Sequence, residues 1–159
     1  MPPVNNVTRM LAAKGVVFEA HELPAEKLSG LEAAAYLGVD PAQMYKTIVA
    51  IRPDGGKPVL GVVPAAAQIE LKALGRALGG KKLQLATQAQ AEKLTGLQTG
   101  GISPLALVAK GFEVVVDTSA LQHQTMYVSG GQRGLNISIA PSSLLELTHA
   151  KTAEIAAII

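Results

Sequence analysis

Two glycine-rich segments with nearby serines are the first candidates for chemistry in this sequence. In each segment two adjacent glycines lie within three residues of a serine. Glycines let the backbone approach a ligand closely and turn its amides toward an anion or a developing oxyanion. Each segment alone is better explained by a tight turn, but two of them in one small chain make a site an equally good interpretation. The candidate substrate-binding residues are Gly100, Gly101, Ser103, Ser129, Gly130 and Gly131.

Lys46 stands within a mostly apolar predicted strand, residues 45–52. Because side chains alternate along a strand, Lys46 shares a face with Ile48 and Ala50. A lysine on such a face is either an edge residue whose ammonium extends to water or a residue of a functional site. The pattern by itself favours the edge residue.

Four basic residues that are close in sequence form the best candidate for a phosphate-binding surface. They are Lys72, Arg76, Lys81 and Lys82. Such a group suits the backbone of a nucleic acid, and the alternative is an ordinary solvated helix face. The segment 75–81 also resembles a phosphate-binding loop, but Lys82 replaces the required Ser or Thr, and a helix precedes it where a strand is needed. We predict a helix end there instead.

Residue types exclude several function classes. The chain has no cysteine, and none of its three histidines has a partner at ligand spacing, so we expect neither a metal site nor a thiol nucleophile. No apolar run reaches the roughly 20 residues that a bilayer requires, and the start lacks the pattern of a secretory signal. Aromatic residues make up 3% of the chain, too few for a surface on which many bases stack. We expect a cytoplasmic protein without a cofactor.

Helical and extended patterns alternate along the chain, which indicates a mixed α+β domain. The predicted helices are 7–11, 30–37, 68–78 and 87–94, with a last helical region from Pro141 through Ile155. The predicted strands are 16–21, 45–52, 59–63, 82–85, 114–116, 126–129 and 135–139. The turn at 53–56 predicts a hairpin, and the apolar run 59–63 predicts burial on both faces. No linker or repeat divides the chain, so we expect residues 1–159 to form one domain.

Three ordered motifs give the sequence a strong resemblance to a known family. They are Tyr45-Lys46-Thr47, Gly100-Gly101-Ile102-Ser103-Pro104 and the segment 127–135, YVSGGQRGL. Together they resemble the YbaK family of bacterial aminoacyl-tRNA deacylases, which is similar to the editing domain inserted in bacterial prolyl-tRNA synthetases. The resemblance implies a single domain with a mixed, barrel-like sheet flanked by helices. It also implies hydrolysis of mischarged tRNA in trans, chiefly Cys-tRNA(Pro), with tRNA as partner and prolyl-tRNA synthetase as a second candidate partner.

The resemblance also assigns roles to individual residues. Lys46 matches the family's essential lysine, Gly101 the loop glycine that lines the substrate pocket, and Ser129 the serine beside it. Lys46 and Gly101 are therefore the expected catalytic residues, and Arg133 in the third motif joins the four basic residues above as an expected tRNA contact. The family's mechanism resembles substrate assistance, in which the thiol of a cysteinyl substrate attacks its own carbonyl. Lys46 would then hold the terminal ribose-phosphate or polarise the carbonyl.

Three departures from the family pattern concern the amino-acid specificity. Glu22 and Leu23 occupy the place of a tyrosine that relatives often carry after the histidine matching His21, and a pocket phenylalanine is replaced near Ser29. Asn136 stands where Cys-specific members tend to have aspartate. Two alternatives therefore stay open. One is the same chemistry on another mischarged tRNA such as Ala-tRNA(Pro), and the other is a non-catalytic module that binds tRNA or a nucleotide and regulates a partner.

Overall fold

Short helices and strands alternate along the chain. The computed structural model describes residues 2–158. Within that range the helices are α1 (Asn6–Ala13), α2 (Gly30–Leu37), α3 (Leu71–Ala77), α4 (Gln88–Thr95) and α5 (Pro141–Thr148). The strands are β1 (Phe18–Glu22), β2 (Tyr45–Ile51), β3 (Val59–Pro64), β4 (Ala67–Ile69), β5 (Gln84–Leu85), β6 (Glu113–Asp117), β7 (Met126–Ser129), β8 (Leu135–Ile139), β9 (Lys151–Ala153) and β10 (Ala156–Ile158). Turns of 3₁₀ helix cover Pro41–Gln43, Leu105–Lys110 and Thr118–Gln122. None of the described helices is long and apolar enough to cross a membrane.

Local side-chain caps and glycines set the ends of several helices. α1, α2 and α4 each begin with a capping box, in which two side chains and the backbone exchange hydrogen bonds. The predicted pair Ser29 and Glu32 forms one of these boxes, and Gly38 ends α2 in the left-handed conformation at φ +67°. After α3, Gly79 and Gly80 also take positive φ angles. The segment 75–81 is thus a helix end, as predicted, and not a phosphate-binding loop.

A five-stranded mixed sheet forms the centre of the fold, in the order β5-β2-β3-β6-β9. β2 and β3 are antiparallel, which confirms the predicted hairpin, whereas β6 and β9 join in parallel. A three-stranded antiparallel sheet, β1-β8-β7, meets this sheet at an isolated bridge between Met44 and Tyr127. β4 and β10 make a sheet of two strands. The α+β class and the mixed sheet are confirmed, with the strands divided among three hydrogen-bonded sheets.

The central sheet separates two hydrophobic cores. Along β3, Leu60 and Val62 belong to the larger core, which includes side chains from α1, α5 and the three-stranded sheet. Val59 and Val63 belong to a smaller core against α3. β3 is buried along nearly its whole length, as its continuous apolar pattern predicts.

Two predicted helices are partly wrong. Residues 68–78 begin as β4, which pairs with β10, and α3 starts only at Leu71. In the region 141–155 the helix ends at Thr148, His149 takes a left-handed conformation, and β9 then pairs with β6. Both segments contain good helix formers, but strand partners elsewhere in the chain override that local preference. The other predicted bounds differ from the observed ones by no more than two residues.

Candidate active site

The predicted site segments meet at a cavity of about 470 Å³. Its walls come from Met44 and the first residues of β2 (45–48), the segment 23–33 that includes the first turn of α2, the loop after α4 at Thr99 and Gly100, and the facing ends of β7 and β8. These segments are far apart in sequence, so the cavity exists only in the folded chain. Its volume is in the range of small-ligand sites in proteins.

Lys46 lies in the wall of this cavity. Burial lowers the pKa of its ammonium below the ordinary lysine value, because the charged form loses hydration. Within residues 2–158, no ion pair compensates for that loss. Ile48 on the same strand face also lines the cavity, and Ala50 further along lies in the smaller core. The sequence pattern favoured an edge lysine whose ammonium extends to water. In the structure Lys46 is instead partly buried in the wall of a cavity that a ligand can enter.

Ser129 and Asn136 lie opposite each other on β7 and β8, and both line the cavity. Ser129 Oγ accepts a hydrogen bond from the Gly131 N–H at 3.3 Å, which ties down the start of the loop between the strands. Asn136 is 5% exposed, and its Nδ2 donates to Met44 Sδ at 3.7 Å. Among the described residues, Asn136 Oδ1 has no hydrogen-bond partner. The sequence marked Asn136 only as a departure from a family pattern, and the pairing of β7 with β8 is what brings it to the cavity.

The two glycine-rich segments pack against each other beside the cavity. Gly100, at φ +93°, lines the cavity. Gly101 lies behind the wall, where a Cβ would come within 2.8 Å of the Gln132 backbone, so glycine is needed for the two loops to approach. Gly130 and Gly131 are confined in the same way by neighbouring side chains. Of these four glycines, Gly100 forms the cavity surface and the other three support it.

Ser103 does not line the cavity, although its neighbour Ile102 does. It is fully buried, and its Oγ accepts a hydrogen bond from the Leu105 N–H at 3.1 Å. That bond closes a serine turn just before the 3₁₀ turn 105–110, whose N-cap residue is Pro104. The assignment of Ser103 to substrate binding is therefore corrected, because a hydroxyl with no exposed surface and a local backbone partner stabilises the turn.

The four clustered basic residues surround a separate surface groove of about 510 Å³. This basic groove lies between α3 and β5 and is lined by Lys72, Arg76, Lys81 and Lys82. The structure thus brings together the residues that the sequence grouped. β5 pairs with the end of β2 at Ala50 and Ile51, whereas Lys46 stands near its beginning. Groove and cavity are therefore roughly 16 Å apart along that strand, at about 3.3 Å per residue.

Arg133 lies beside the cavity and not in the basic groove. Its Nε donates to the Thr99 carbonyl oxygen at 2.8 Å, and its side chain packs against Gly100. On the other side, the Glu92 carboxylate accepts a hydrogen bond from the Thr99 N–H at 2.8 Å, and this bond holds the pKa of Glu92 below its ordinary value. Sequence reasoning missed Glu92 because its partner lies beyond the end of α4, outside the range of helix patterns.

The histidines do not gather into a metal site. His21 Nε2 lies 2.9 Å from Ser138 Oγ, and the His123 ring packs edge-on against Tyr45. In the part of the chain that the structure describes, no group of three or more His, Cys, Asp or Glu side chains is arranged to hold a metal ion.

Comparison with known proteins identifies the family. Residues 26–147 match the family model described as "Aminoacyl-tRNA editing domain". The chain belongs to this family. The matched range includes Lys46, both glycine-rich loops and every residue that lines the cavity except Leu23 and Pro24. The resemblance seen in the motifs is confirmed, and so is the enzyme class that it implies, an aminoacyl-tRNA deacylase.

Two named proteins are similar to this editing domain in sequence. This chain is 33% identical over 152 residues to EbsC of Enterococcus faecalis, which is named as a proposed Cys-tRNA(Pro)/Cys-tRNA(Cys) deacylase. That match covers 94% of this chain and 92% of EbsC. It is also 33% identical over 99 residues to the proline–tRNA ligase of Geobacter sp. strain M21, covering 62% of this chain but 17% of the ligase.

Solved structures share the fold of this editing domain over nearly its whole length. The crystal structure of the hypothetical protein APE2540 has a TM-score of 0.87 at 27% identity, and the match covers 96% of this chain and 100% of that one. The crystal structure of a proposed trans-editing enzyme for prolyl-tRNA synthetase has a TM-score of 0.78 at 24% identity, covering 98% and 99%. The fold predicted from the resemblance is therefore that of the solved relatives.

Proposed function

We propose that residues 1–159 act as one editing domain that hydrolyses mischarged tRNA in trans, with Cys-tRNA(Pro) as its main substrate. The observation that carries the proposal is the placement of Lys46 in a cavity whose walls include Gly100 and Ser129. The ammonium has no ion-pair partner among residues 2–158, so a bound ligand can supply one. The name of the Enterococcus relative supports cysteinyl-tRNA as the substrate class.

The chemistry requires little more than positioning and charge stabilisation. An aminoacyl ester is already activated, so a catalyst gains most by orienting it and stabilising the developing oxyanion. In our proposal Lys46 either binds the terminal ribose-phosphate or polarises the ester carbonyl, and the amide at Gly100 faces the developing negative charge. Neither role requires a metal ion or a protein nucleophile.

For a cysteinyl substrate, the nucleophile is the substrate's own thiol. The sulfur attacks the ester carbonyl carbon, the bond from that carbon to the ribose oxygen breaks, and the thiol proton ends on the released ribose hydroxyl. The products are a free tRNA 3′ end and a cyclic thioester, which water then opens to cysteine. This route accounts for catalysis by a chain without a cysteine of its own.

The basic groove is the proposed contact with the tRNA backbone. Its four cations suit phosphates, and it lies roughly 16 Å from Lys46 along β2. The groove would therefore meet the acceptor arm a few nucleotides from the esterified end. Prolyl-tRNA synthetase is the proposed second partner, and the cytoplasm, where tRNA is charged, is the proposed location.

The test is a deacylation panel with one lysine variant and a matched control. Cys-tRNA(Pro), Ala-tRNA(Pro), Cys-tRNA(Cys) and Pro-tRNA(Pro) are each incubated with the wild-type chain, with Lys46→Ala and with Lys151→Ala. Lys151 is an exposed lysine on β9 of the same sheet, so its loss controls for the removal of one surface charge. We expect fastest hydrolysis of Cys-tRNA(Pro) by the wild type and the control, and little by Lys46→Ala.

Other outcomes of the panel select the alternatives. Preferential hydrolysis of Ala-tRNA(Pro) would mean that the protein is a deacylase whose preferred amino acid is alanine and not cysteine. Salt-dependent binding of tRNA without hydrolysis of any member would instead identify a non-catalytic tRNA-binding regulator and reject the proposed function.

A further inference from the structure

We infer that Glu92 and Arg133 form a clamp on Thr99 that orients the Gly100 amide for catalysis, which makes both of them positioning residues. The inference rests on the proposed function, since it assigns the Gly100 N–H to the developing oxyanion. It also reassigns Arg133, which the sequence grouped with the tRNA contacts.

Both polar backbone groups of Thr99 are held by charged side chains from different parts of the chain. The Glu92 Oε2 atom, on α4, accepts from the Thr99 N–H at 2.8 Å. The Arg133 Nε atom, in the loop between β7 and β8, donates to the Thr99 carbonyl oxygen at 2.8 Å. Hydrogen bonds to ionised groups are the stronger kind, so the two together restrain this residue more than a neutral turn would.

The bond from Arg133 also sets the direction of the next amide. The Thr99 carbonyl and the Gly100 N–H belong to one trans peptide, in which the two bonds point in opposite directions. Drawing the carbonyl toward Arg133 therefore turns the Gly100 N–H away from Arg133. Among the described residues the Gly100 N–H has no acceptor. The N–H groups on either side of it do have acceptors, since the Thr99 N–H donates to Glu92 and the Gly101 N–H donates to the Gln98 carbonyl at 2.8 Å. The Gly100 N–H is thus a backbone donor that a ligand can use in the cavity that Gly100 lines.

The residues around Thr99 and Arg133 are also held in place by packing and hydrogen bonds. Gly101 sits against the backbone of Gln132, next to Arg133, with no room for a Cβ. Asn5 Nδ2 in turn donates to the Gly130 carbonyl at 2.9 Å and to Gln132 Oε1 at 3.0 Å. A donor that is fixed before the substrate arrives stabilises a transition state without reorganisation at the moment of reaction.

The experiment separates positioning from phosphate binding by measuring tRNA affinity and single-turnover rate for the same variants. Arg133→Met and Glu92→Ala remove the two arms of the clamp. We expect at least a tenfold loss of single-turnover rate on Cys-tRNA(Pro), with the Kd for tRNA and its salt dependence within twofold of wild type. Glu92→Gln keeps an acceptor for the Thr99 N–H and should retain more activity than Glu92→Ala. Lys93→Ala, an exposed charge on the same helix, serves as the control and should behave as wild type.

The opposite result for Arg133 would overturn the inference. If Arg133→Met raises the Kd for tRNA and flattens its salt dependence while the rate at saturation is unchanged, Arg133 contacts phosphate and does not position the loop. Equal activity of Glu92→Gln and Glu92→Ala at the wild-type rate would also overturn it.

An NMR measurement keeps this inference distinguishable from failure of the proposed function. The Thr99 amide proton should resonate downfield in the wild type and move upfield in Glu92→Ala, and the Gly100 amide should shift in Arg133→Met. If no charged tRNA is hydrolysed by the wild type, the proposed function fails and the catalytic part of the inference fails with it, whereas the amide shifts decide whether the clamp exists. Unchanged shifts in both variants would reject the clamp itself.

Discussion

Replacing Lys46 with methionine separates two effects of its charge, the destabilisation of the folded state by burial and the stabilisation of the transition state. Methionine keeps most of the apolar stem and removes only the ammonium, which lies partly buried in the cavity. If the ammonium stabilises developing charge, the single-turnover rate should fall by about 10²–10³, or roughly 2.7–4 kcal/mol of transition-state stabilisation. If Lys46 were an edge residue extending to water, both rate and stability should stay within ~0.5 kcal/mol of wild type.

The same substitution should leave the folded state equally stable or more stable. Burial lowers the folded-state pKa of Lys46, so the unfolded chain holds this proton more tightly than the folded chain does. Wild-type stability should therefore rise with pH between the folded-state pKa and the ordinary lysine value, and the Lys46→Met variant should lack that rise. Below this window the variant is relieved of the burial penalty, and urea unfolding measured at neutral and alkaline pH tests both points.

The assay is single-turnover deacylation of Cys-tRNA(Pro), with Lys46→Arg and Lys151→Ala run in parallel. Lys46→Arg should not restore the rate fully, because a planar guanidinium does not replace a compact ammonium in a confined space. A folded Lys46→Met protein that retains the wild-type rate would refute the assignment. A variant that loses activity only because it unfolds, shown by a lowered urea midpoint, would refute the stability argument.

Four further outcomes follow from other parts of the molecule. Replacing all four cations of the basic groove with alanine should weaken tRNA binding and reduce its salt dependence, and an unchanged salt slope would place the tRNA on another face. Gly101→Ala should lower both Tm and deacylation rate, because its Cβ would meet the Gln132 backbone at 2.8 Å, and wild-type values for both would show that the loops can separate. Asp117→Ala should lower the free energy of unfolding by about 2–4 kcal/mol in urea titrations. The reason is that the buried carboxylate accepts hydrogen bonds from the N–H groups of Ile155 and Ala156 at the start of β10. A change below about 1 kcal/mol would mean that water takes over these two hydrogen bonds in the variant. Dialysis against EDTA should leave the deacylation rate unchanged, and a loss restored by zinc would reveal a metal requirement.

The two clamp residues, Glu92 and Arg133, and Lys46 have opposite effects on the stability of the folded chain. Glu92 and Arg133 satisfy backbone groups, so they stabilise the loop while they orient it. The Glu92 carboxylate has a lowered pKa, mainly because it accepts from the Thr99 backbone, so its contribution is present above the ordinary glutamate pKa and is lost as the pH falls through the folded-state value. Lys46 is partly buried without such a partner among the described residues, which is typical of a group in a functional site.

The sequence by itself determines the features that depend on near neighbours. The capping box of Ser29 and Glu32, the stop at Gly38 and the turn at 53–56 each act within a few residues, so local chemistry is enough to predict them. The apolar run of β3 predicts burial on both faces for the same reason. The three motifs are also continuous in sequence, and they are enough to predict the family and the enzyme class that comes with it.

Only the tertiary structure decides which polar groups share a space and which backbone groups find distant partners. Lys46 has the pattern of an edge residue until the loops close a cavity around it, and Ser103 has the pattern of a site residue until its burial is seen. Arg133 and Thr99 are 34 residues apart, and β4, at the start of the predicted helix 68–78, instead pairs with β10. A buried N–H, carbonyl or charge must find a partner wherever the fold provides one. That partner is set by packing of the whole chain, which no local pattern encodes.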